Sequence, residues 1–146
     1  MRVYLDNCCY NRPFDEQTQL KVRLETEAKL RVQAMMRNGE IEYVWSDMLS
    51  QEVLDNPFPP RRDKILEWRH SAYCTVETTT EVIADADELA AKGLKAADAL
   101  HVASAAAADC DYFITTDIRL LRRIRQFKAT RILNPMEFLL EVEDGI

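Results

Sequence analysis

The sequence has 146 residues, of which 47% are apolar and 30% are charged. These fractions are typical of a soluble globular protein and exclude a disordered or fibrous one. A chain of this length corresponds to about one domain, so we expect a single domain over residues 1–146 that needs no disulfide or metal to support its core. The net charge of −6, from 19 basic and 25 acidic residues, argues against a protein that coats nucleic acid over its whole surface.

The N-terminal segment and the cysteines indicate the compartment. No apolar run approaches the roughly 18–20 residues of a membrane-spanning helix, and Asp6 interrupts the segment where a signal peptide would be apolar. Cys8, Cys9, Cys74 and Cys110 include no C-x-x-C pair, which argues against a zinc ribbon or a disulfide framework. We therefore expect a cytoplasmic protein with reduced, mostly buried thiols.

Strand and helix patterns alternate along the chain. Five segments are typical of short buried strands: Arg2–Leu5, Ile41–Trp45, Thr75–Thr78, Tyr112–Thr115 and Thr130–Leu133. The helical segments between them are about Asp15 to Arg37, Asp47–Asp55 capped by Ser46, Arg61–Ala72, Glu81–Lys92 capped by Thr80, Lys95–Asp109, Ile118–Phe127 capped by Asp117, and a short helix after Asn134-Pro135. This alternation predicts a three-layer α/β fold with a mostly parallel sheet, in which ligands bind at the carboxyl ends of the strands.

Four acidic residues occupy positions from which their side chains can meet at that edge. Asp6 follows the first strand, and Asp117 follows the fourth. Glu52 lies in the helix after the second strand, and Asp98 lies in the first turn of a helix otherwise rich in Ala, Leu and Val. An acid on an apolar helix face is costly to bury unless its charge is compensated, and a divalent cation supplies such compensation.

Mg²⁺ and Mn²⁺ prefer hard oxygen ligands, so carboxylates from separate elements suit them. Such an ion can polarise a phosphoryl oxygen and activate a water molecule. Each acid also has a structural alternative: Asp117 and Asp98 as helix N-terminal residues, Glu52 as a solvated helix acid, and Asp6 as a turn residue. The four positions together, rather than any one of them, favour the metal site.

The same residues resemble a known family, the PIN-domain proteins, metal-dependent nucleases that include the VapC-like toxins of bacterial toxin–antitoxin pairs. The resemblance rests on V-Y-L-D at 3–6, Glu52 within S-D-M-L-S-Q-E-V-L, D-A-L-H-V-A at 98–103 and F-I-T-T-D at 113–117. It spans nearly the whole chain in order. It implies a five-stranded parallel sheet of order 3-2-1-4-5 and a pocket that binds Mg²⁺ or Mn²⁺ and cleaves single-stranded RNA.

The resemblance also implies roles for individual residues. Asp6 and Asp98 would be the principal metal ligands, Glu52 a further direct or water-mediated ligand, and Asp117 an acid of a second site or outer shell. Thr115 would orient a carboxylate. The sequence departs from the family at Cys8, where a hydroxyl residue is frequent, and in its long first helix and the loop 11–15, which differ from the minimal toxin.

Basic residues suggest where a phosphate backbone would bind. Arg12 follows the first strand and could reach a phosphate, although pairing with a nearby acid is an equal alternative. Segment 119–131 contains six basic residues and no acid, namely Arg119, Arg122, Arg123, Arg125, Lys128 and Arg131. They are candidates for phosphate contacts or, alternatively, a solvated helix face. His101, one turn after Asp98, is a candidate for a packed core histidine or for the outer shell.

Two classes of function follow. The first is a metal-dependent endoribonuclease with single-stranded RNA as substrate and an antitoxin protein as partner. The second is a non-catalytic module that binds RNA or protein. A haloacid-dehalogenase-like phosphatase would need an acid at position 8, which is Cys8. The chain has more large aromatic residues than a small core obviously needs, and we therefore also expect a homodimer; these residues are Trp45, Phe58, Trp68 and Tyr73.

Overall fold

A computed structural model gives the architecture of residues 1–11 and 17–143. The strands are β1 Arg2–Leu5, β2 Glu42–Ser46, β3 Thr75–Val76, β4 Tyr112–Ile114, β5 Gln126–Phe127 and β6 Thr130–Leu133. The helices are α1 Asn7–Asn11, α2 Leu20–Arg37, α3 Asp47–Leu54, α4 Pro59–Leu66, α5 Thr80–Ala91, α6 Ala96–Ala107, α7 Ile118–Arg123 and α8 Pro135–Glu143. A 3₁₀ turn over Glu67–Ser71 continues α4.

The strands form one sheet of order β3-β2-β1-β4-β6-β5, in which every pair is parallel except β5 with β6. The centre of the sheet is β1, whose Val3 is in register with Tyr43 of β2 and Tyr112 of β4. The α/β prediction is therefore confirmed. The expected five strands are wrong, because the sheet has six.

The additional strand lies inside the segment predicted as one helix, Ile118–Phe127. In the structure α7 ends at Arg123, and Gln126–Phe127 turns back to pair antiparallel with Thr130 and Arg131. Lys128, in the turn, has a φ of 52°. A lysine in the left-handed region gives no warning in a sequence, because this conformation is uncommon for residues other than glycine.

Other boundaries differ by local chemistry. The N-cap of α5 is Thr79, whose hydroxyl accepts from the Val82 amide, rather than the predicted Thr80. The helix predicted as Arg61–Ala72 is divided between α4 and the 3₁₀ turn, and α1 was not predicted. The predicted start of the first long helix near Asp15 lies outside the described residues, and α2 begins at Leu20.

Helices cover both faces of the sheet and enclose its apolar residues. Val3, Tyr4 and Leu5 of β1 are fully buried, as is Trp45 of β2. Within the described ranges no helix is long and apolar enough to cross a bilayer. The four cysteines form no disulfide, and Cys9 and Cys110 are buried whereas Cys8 and Cys74 are partly exposed, so the expected burial is found for two of the four.

The aromatic residues behind the homodimer prediction have different environments. Trp45 is fully buried and Trp68 packs partly against the same core, so both serve the fold of this chain. Phe58 and Tyr73 are 58% and 56% exposed. The homodimer remains a prediction, and of the four aromatic residues on which it rests, Phe58 and Tyr73 are the exposed ones.

Candidate functional site

Asp6 lies at the carboxyl end of the central strand, where it is buried with 7% of its surface exposed. Its amide donates to the Ile114 carbonyl at 2.9 Å, which joins the ends of β1 and β4. Its carboxylate accepts from the Thr115 hydroxyl at 2.7 Å and from the Asn7 amide at 2.8 Å. The carboxylate therefore has a fixed orientation, and Thr115 has the contact that its predicted orienting role needs.

Cys8 also contacts the Asp6 carboxylate. Its thiol lies 3.4 Å from Asp6 Oδ2, 3.4 Å from the Thr115 hydroxyl and 3.2 Å from the Thr116 hydroxyl. The residue at the position where the sequence departs from the family pattern thus fills the space beside Asp6 and joins its hydrogen-bond network.

Asp98 lies near two other predicted acids. Burial raises the pKa of Asp98 to about 6, and the charges of Asp6 and Asp117 act in the same direction. Lys95 and His101 partly offset this effect. Burial is the larger cause of this shift, and the charges of Asp6 and Asp117 lie close enough to Asp98 to add to it.

Asp117 has the N-cap geometry that was its structural alternative. Its Oδ1 accepts from the Arg119 amide at 2.9 Å and from the Leu120 amide at 3.2 Å, and its own amide donates to the Thr115 hydroxyl at 3.1 Å. Capping occupies one carboxylate oxygen, so it is compatible with a contribution of negative charge to the group around Asp98.

Glu52 is held by a chain of buried polar residues. Its Oε1 lies 2.6 Å from His101 Nε2, and His101 Nδ1 lies 2.6 Å from the Tyr4 hydroxyl. That hydroxyl is 2.6 Å from Ser46 Oγ, which accepts from the Leu49 amide at 3.0 Å.

His101 is 2% exposed and therefore buried, but it is not a purely apolar core residue. Burial opposes its charge, whereas the hydrogen bond to Glu52 and the nearby acids Asp6 and Asp98 raise its pKa. His101 thus connects Glu52 to the group around Asp98. The sequence gives no signal for these contacts, because His101 lies 97 positions from Tyr4 and 49 positions from Glu52.

The predicted ligand set is only partly brought together. Within residues 1–11 and 17–143, no group of three or more His, Cys, Asp and Glu side chains has the arrangement of a metal site. Glu52 contacts His101, whereas Asp6 contacts Thr115. The carboxylates nevertheless have the oxygen chemistry that Mg²⁺ or Mn²⁺ requires, and neither Asp6 nor Asp98 has an ion-pair partner in the described part of the chain. Their assignment as ligands remains a prediction.

The basic segment 119–131 divides into two sets. Arg125 pairs with Glu137 at 2.9 Å, Lys128 pairs with Asp85 at 2.7 Å, and Arg131 pairs with Glu141. These three fit the solvated-face alternative. The other three, Arg119, Arg122 and Arg123, have no ion-pair partner among the residues that the structure describes.

The unpaired arginines border the acidic group. Arg119, Arg122 and Arg123 line a cavity of about 450 Å³ together with Asp98 and Lys95. Gly93, which has a φ of 102°, forms part of the wall, and a Cβ atom there would lie 2.8 Å from an Arg123 guanidinium nitrogen. The missing side chain therefore makes room for Arg123. Arg12, the remaining candidate for phosphate binding, lies outside the described residues.

Comparisons with known proteins give a fold-level likeness. No family model matches the chain, and no curated protein matches it. Among the similar solved structures is FitAcB from Neisseria gonorrhoeae, with 14% identity and a TM-score of 0.58 over 92% of this chain and 98% of that one. VapBC2 from Rickettsia felis, bound to a promoter DNA fragment, has 12% identity and a TM-score of 0.59 over 92% of this chain and 98% of that one. FitAB bound to an IR36 DNA fragment has 16% identity and a TM-score of 0.59 over 91% of this chain and 94% of that one.

These findings correct the family prediction. Membership of the PIN-domain family is contradicted, because no family model matches and the similar structures are FitAB and VapBC complexes, at identities that show the fold alone. The short motifs at 3–6, 98–103 and 113–117 are too brief to establish a family in a chain this divergent. We assign the chain to no family.

Proposed function

We propose that this chain is a Mg²⁺- or Mn²⁺-dependent endoribonuclease that hydrolyses phosphodiester bonds of single-stranded RNA and acts as the toxin of a toxin–antitoxin pair. The observation that carries the proposal is the position of Asp98, which is coupled to Asp6 and Asp117 and borders a cavity lined by Arg122 and Arg123. A cluster of acids alone would repel a phosphate, whereas acids beside arginines can bind both a metal ion and a polyanion.

In this proposal the acidic residues bind the metal ion, and neighbouring residues orient them. Asp6 and Asp98 would hold the ion, with Asp117 and Glu52 as further acids. A bound divalent cation supplies a Lewis acid for a phosphoryl oxygen and an activated water molecule. Thr115 fixes the Asp6 carboxylate by its hydrogen bond, and His101 fixes Glu52 in the same way.

The partner part of the proposal draws on the comparisons. FitAB and VapBC2 are toxin–antitoxin complexes, and their likeness covers at least 91% of this chain. A chain with this fold and an acidic edge is suited to the toxin's role, with a small protein antitoxin as its partner.

A non-catalytic RNA- or protein-binding module is the second candidate function. The lack of a preformed three-residue metal group within the described ranges favours it. The decisive experiment incubates the purified protein with a panel of single-stranded RNAs and DNAs, with Mg²⁺, with Mn²⁺ and with chelator. We expect RNA cleavage that requires the ion. Binding without cleavage in all three conditions would support the binding module instead.

The division of the basic segment predicts which arginines bind phosphate. Replacing Arg122 and Arg123 by Ala should weaken RNA binding about equally for all sequences. It should also reduce the slope of log affinity against log salt by about 0.7 per lost contact. The measurement is fluorescence anisotropy of a labelled RNA at several salt concentrations, in chelator to prevent cleavage.

The matched control replaces Arg125 and Arg131 by Ala. These side chains pair with Glu137 and Glu141, so their loss should leave the salt slope unchanged. If both double variants reduce the slope equally, the cavity beside Asp98 is not the phosphate site.

A further inference from the structure

A second cavity of about 450 Å³ lies between α2, the end of α4 and the 3₁₀ turn, apart from the residues of the acidic site. Its size is within the range of about 300–1,000 Å³ that small-molecule sites occupy. Aromatic rings from Tyr10, Tyr43 and Trp68 line it, and polar groups from Gln33, Arg37 and Lys64 share the wall.

The inner wall has a buried hydroxyl and an amide side chain. Tyr10 is 1% exposed, and its buried hydroxyl has no hydrogen-bond partner among residues 1–11 and 17–143. Gln33, which is 5% exposed, lines the cavity beside it, so its amide group can face a ligand there. A buried hydroxyl without a partner lowers stability, and a ligand or a water molecule in the cavity would complete its hydrogen bonds.

The outer wall is basic and partly aromatic. The Arg37 guanidinium lies 4.6 Å from the centre of the Trp68 ring, and it forms no ion pair within the described ranges. Lys64 is exposed and likewise has no carboxylate partner there, while Glu67 is the single acid of the wall. The outer wall of the cavity therefore has two cations and one carboxylate, whereas the chain as a whole has a net charge of −6.

We propose that this cavity binds a nucleotide, with its base against Tyr10, Gln33 and Tyr43 and its phosphate at Arg37 and Lys64. A glutamine amide can match the edge of adenine with two hydrogen bonds, and a tyrosine hydroxyl can donate or accept one more. Aromatic side chains offer flat surfaces for a base, and guanidinium and ammonium groups suit a phosphate.

The chemistry is shared by two sources, a free nucleotide and a nucleotide within an RNA strand. The inference does not rest on the proposed hydrolysis, because none of the cavity residues belongs to the acidic site. It is therefore tested in chelator, where its failure is separate from any failure of RNA cleavage.

The cavity provides its own optical signal. The chain has two tryptophans, of which Trp45 is fully buried and Trp68 lines the cavity. We expect adenosine monophosphate to change the tryptophan fluorescence of the full chain with saturation, and the Trp68→Phe variant to lose this signal. Isothermal titration calorimetry measures the affinity independently of fluorescence.

Two variants separate base from phosphate recognition. Gln33→Leu should weaken binding of adenosine monophosphate by about tenfold or more. Arg37→Gln, at an exposed position, should weaken the binding of adenosine monophosphate by a similar factor and leave the binding of adenosine unchanged. The matched control is Arg23→Gln, an exposed arginine of the same helix outside the cavity, which should change neither affinity.

A short oligoadenylate identifies the source. Tighter binding than adenosine monophosphate, lost in Gln33→Leu and Arg37→Gln, assigns the site to an RNA strand, and equal or weaker binding assigns it to the free nucleotide. The proposal is overturned if adenosine monophosphate does not bind at millimolar concentration. It is also overturned if inorganic phosphate binds equally well, or if the folded Arg37→Gln variant binds adenosine monophosphate as wild type does.

Discussion

Asp98→Asn is expected to reduce metal-dependent RNA cleavage by at least about a hundredfold, because asparagine keeps the side-chain shape but removes the charge that binds the cation. A metal ion that acts as a Lewis acid contributes several kcal/mol to transition-state stabilisation, and each 1.4 kcal/mol or so corresponds to about tenfold in rate. Asp6→Asn should have the same effect. Cleavage rates with saturating Mn²⁺ measure both.

The degree of loss should differ among the acids. Asp117→Asn should reduce cleavage less, because the capping contacts to Arg119 and Leu120 need only a side-chain oxygen, which asparagine keeps. The matched control is Asp87→Asn, an exposed aspartate on α5, which should cleave as wild type does. A folded Asp98→Asn variant with wild-type cleavage, or wild-type cleavage that persists in chelator, would contradict the metal mechanism.

The central strands were predictable because their signals are local. Arg2–Leu5 and Thr130–Leu133 have the predicted bounds, since each is a short apolar or β-branched run that ends at a polar residue. The cap of α3 by Ser46 was predictable for the same reason. Alternation of such strands with helices was sufficient to indicate a parallel sheet.

The misplaced elements depend on contacts that a single segment does not contain. The apolar residues from Leu120 to Phe127 have helical spacing. Gln126–Phe127 nevertheless forms a strand at the edge of the sheet, because a tight turn brings it beside Thr130, with which Phe127 pairs. The pairing of β5 with β6 supplies hydrogen bonds that extending α7 would not. Tertiary contacts therefore override the local helical pattern in this segment.

The acidic site shows the same limit. Asp6, Asp98 and Asp117 could be grouped from the sequence, because strand ends and a helix start converge at one edge of a parallel sheet. The direct contact of Glu52 with His101 could not be predicted, since it joins residues of two helices that lie 49 positions apart in the sequence. Likewise, only the structure separates Arg122 and Arg123 at the cavity from Arg125 and Arg131 in ion pairs.

The second large effect concerns stability. In metal-free protein the folded-state pKa of Asp98 is about 6, because of burial and the charges of Asp6 and Asp117, against an ordinary value of 3.8. A raised folded-state pKa means that folding favours the protonated form. The contribution of Asp98 to the free energy of unfolding is therefore most favourable below about pH 4 and falls as the pH rises towards 6. Asp98→Asn has no such charge, so its melting temperature should exceed that of metal-free wild type at pH 7.

Mn²⁺ should reverse this order. An ion that binds only the folded state adds RT ln(1 + [L]/Kd), about 2.7 kcal/mol at a hundredfold excess over Kd, which corresponds to a rise of about 5–10 °C for a chain of this size. Wild type and the Asp87→Asn control should show this rise, and Asp98→Asn should respond little. If Asp98 only stabilises the start of α6, its substitution is neutral or destabilising and Mn²⁺ acts on neither protein. Thermal melts of the three proteins at pH 4.5 and 7, with Mn²⁺ and with chelator, distinguish these cases, and an equal response to Mn²⁺ in wild type and Asp98→Asn would show that Asp98 is not a ligand.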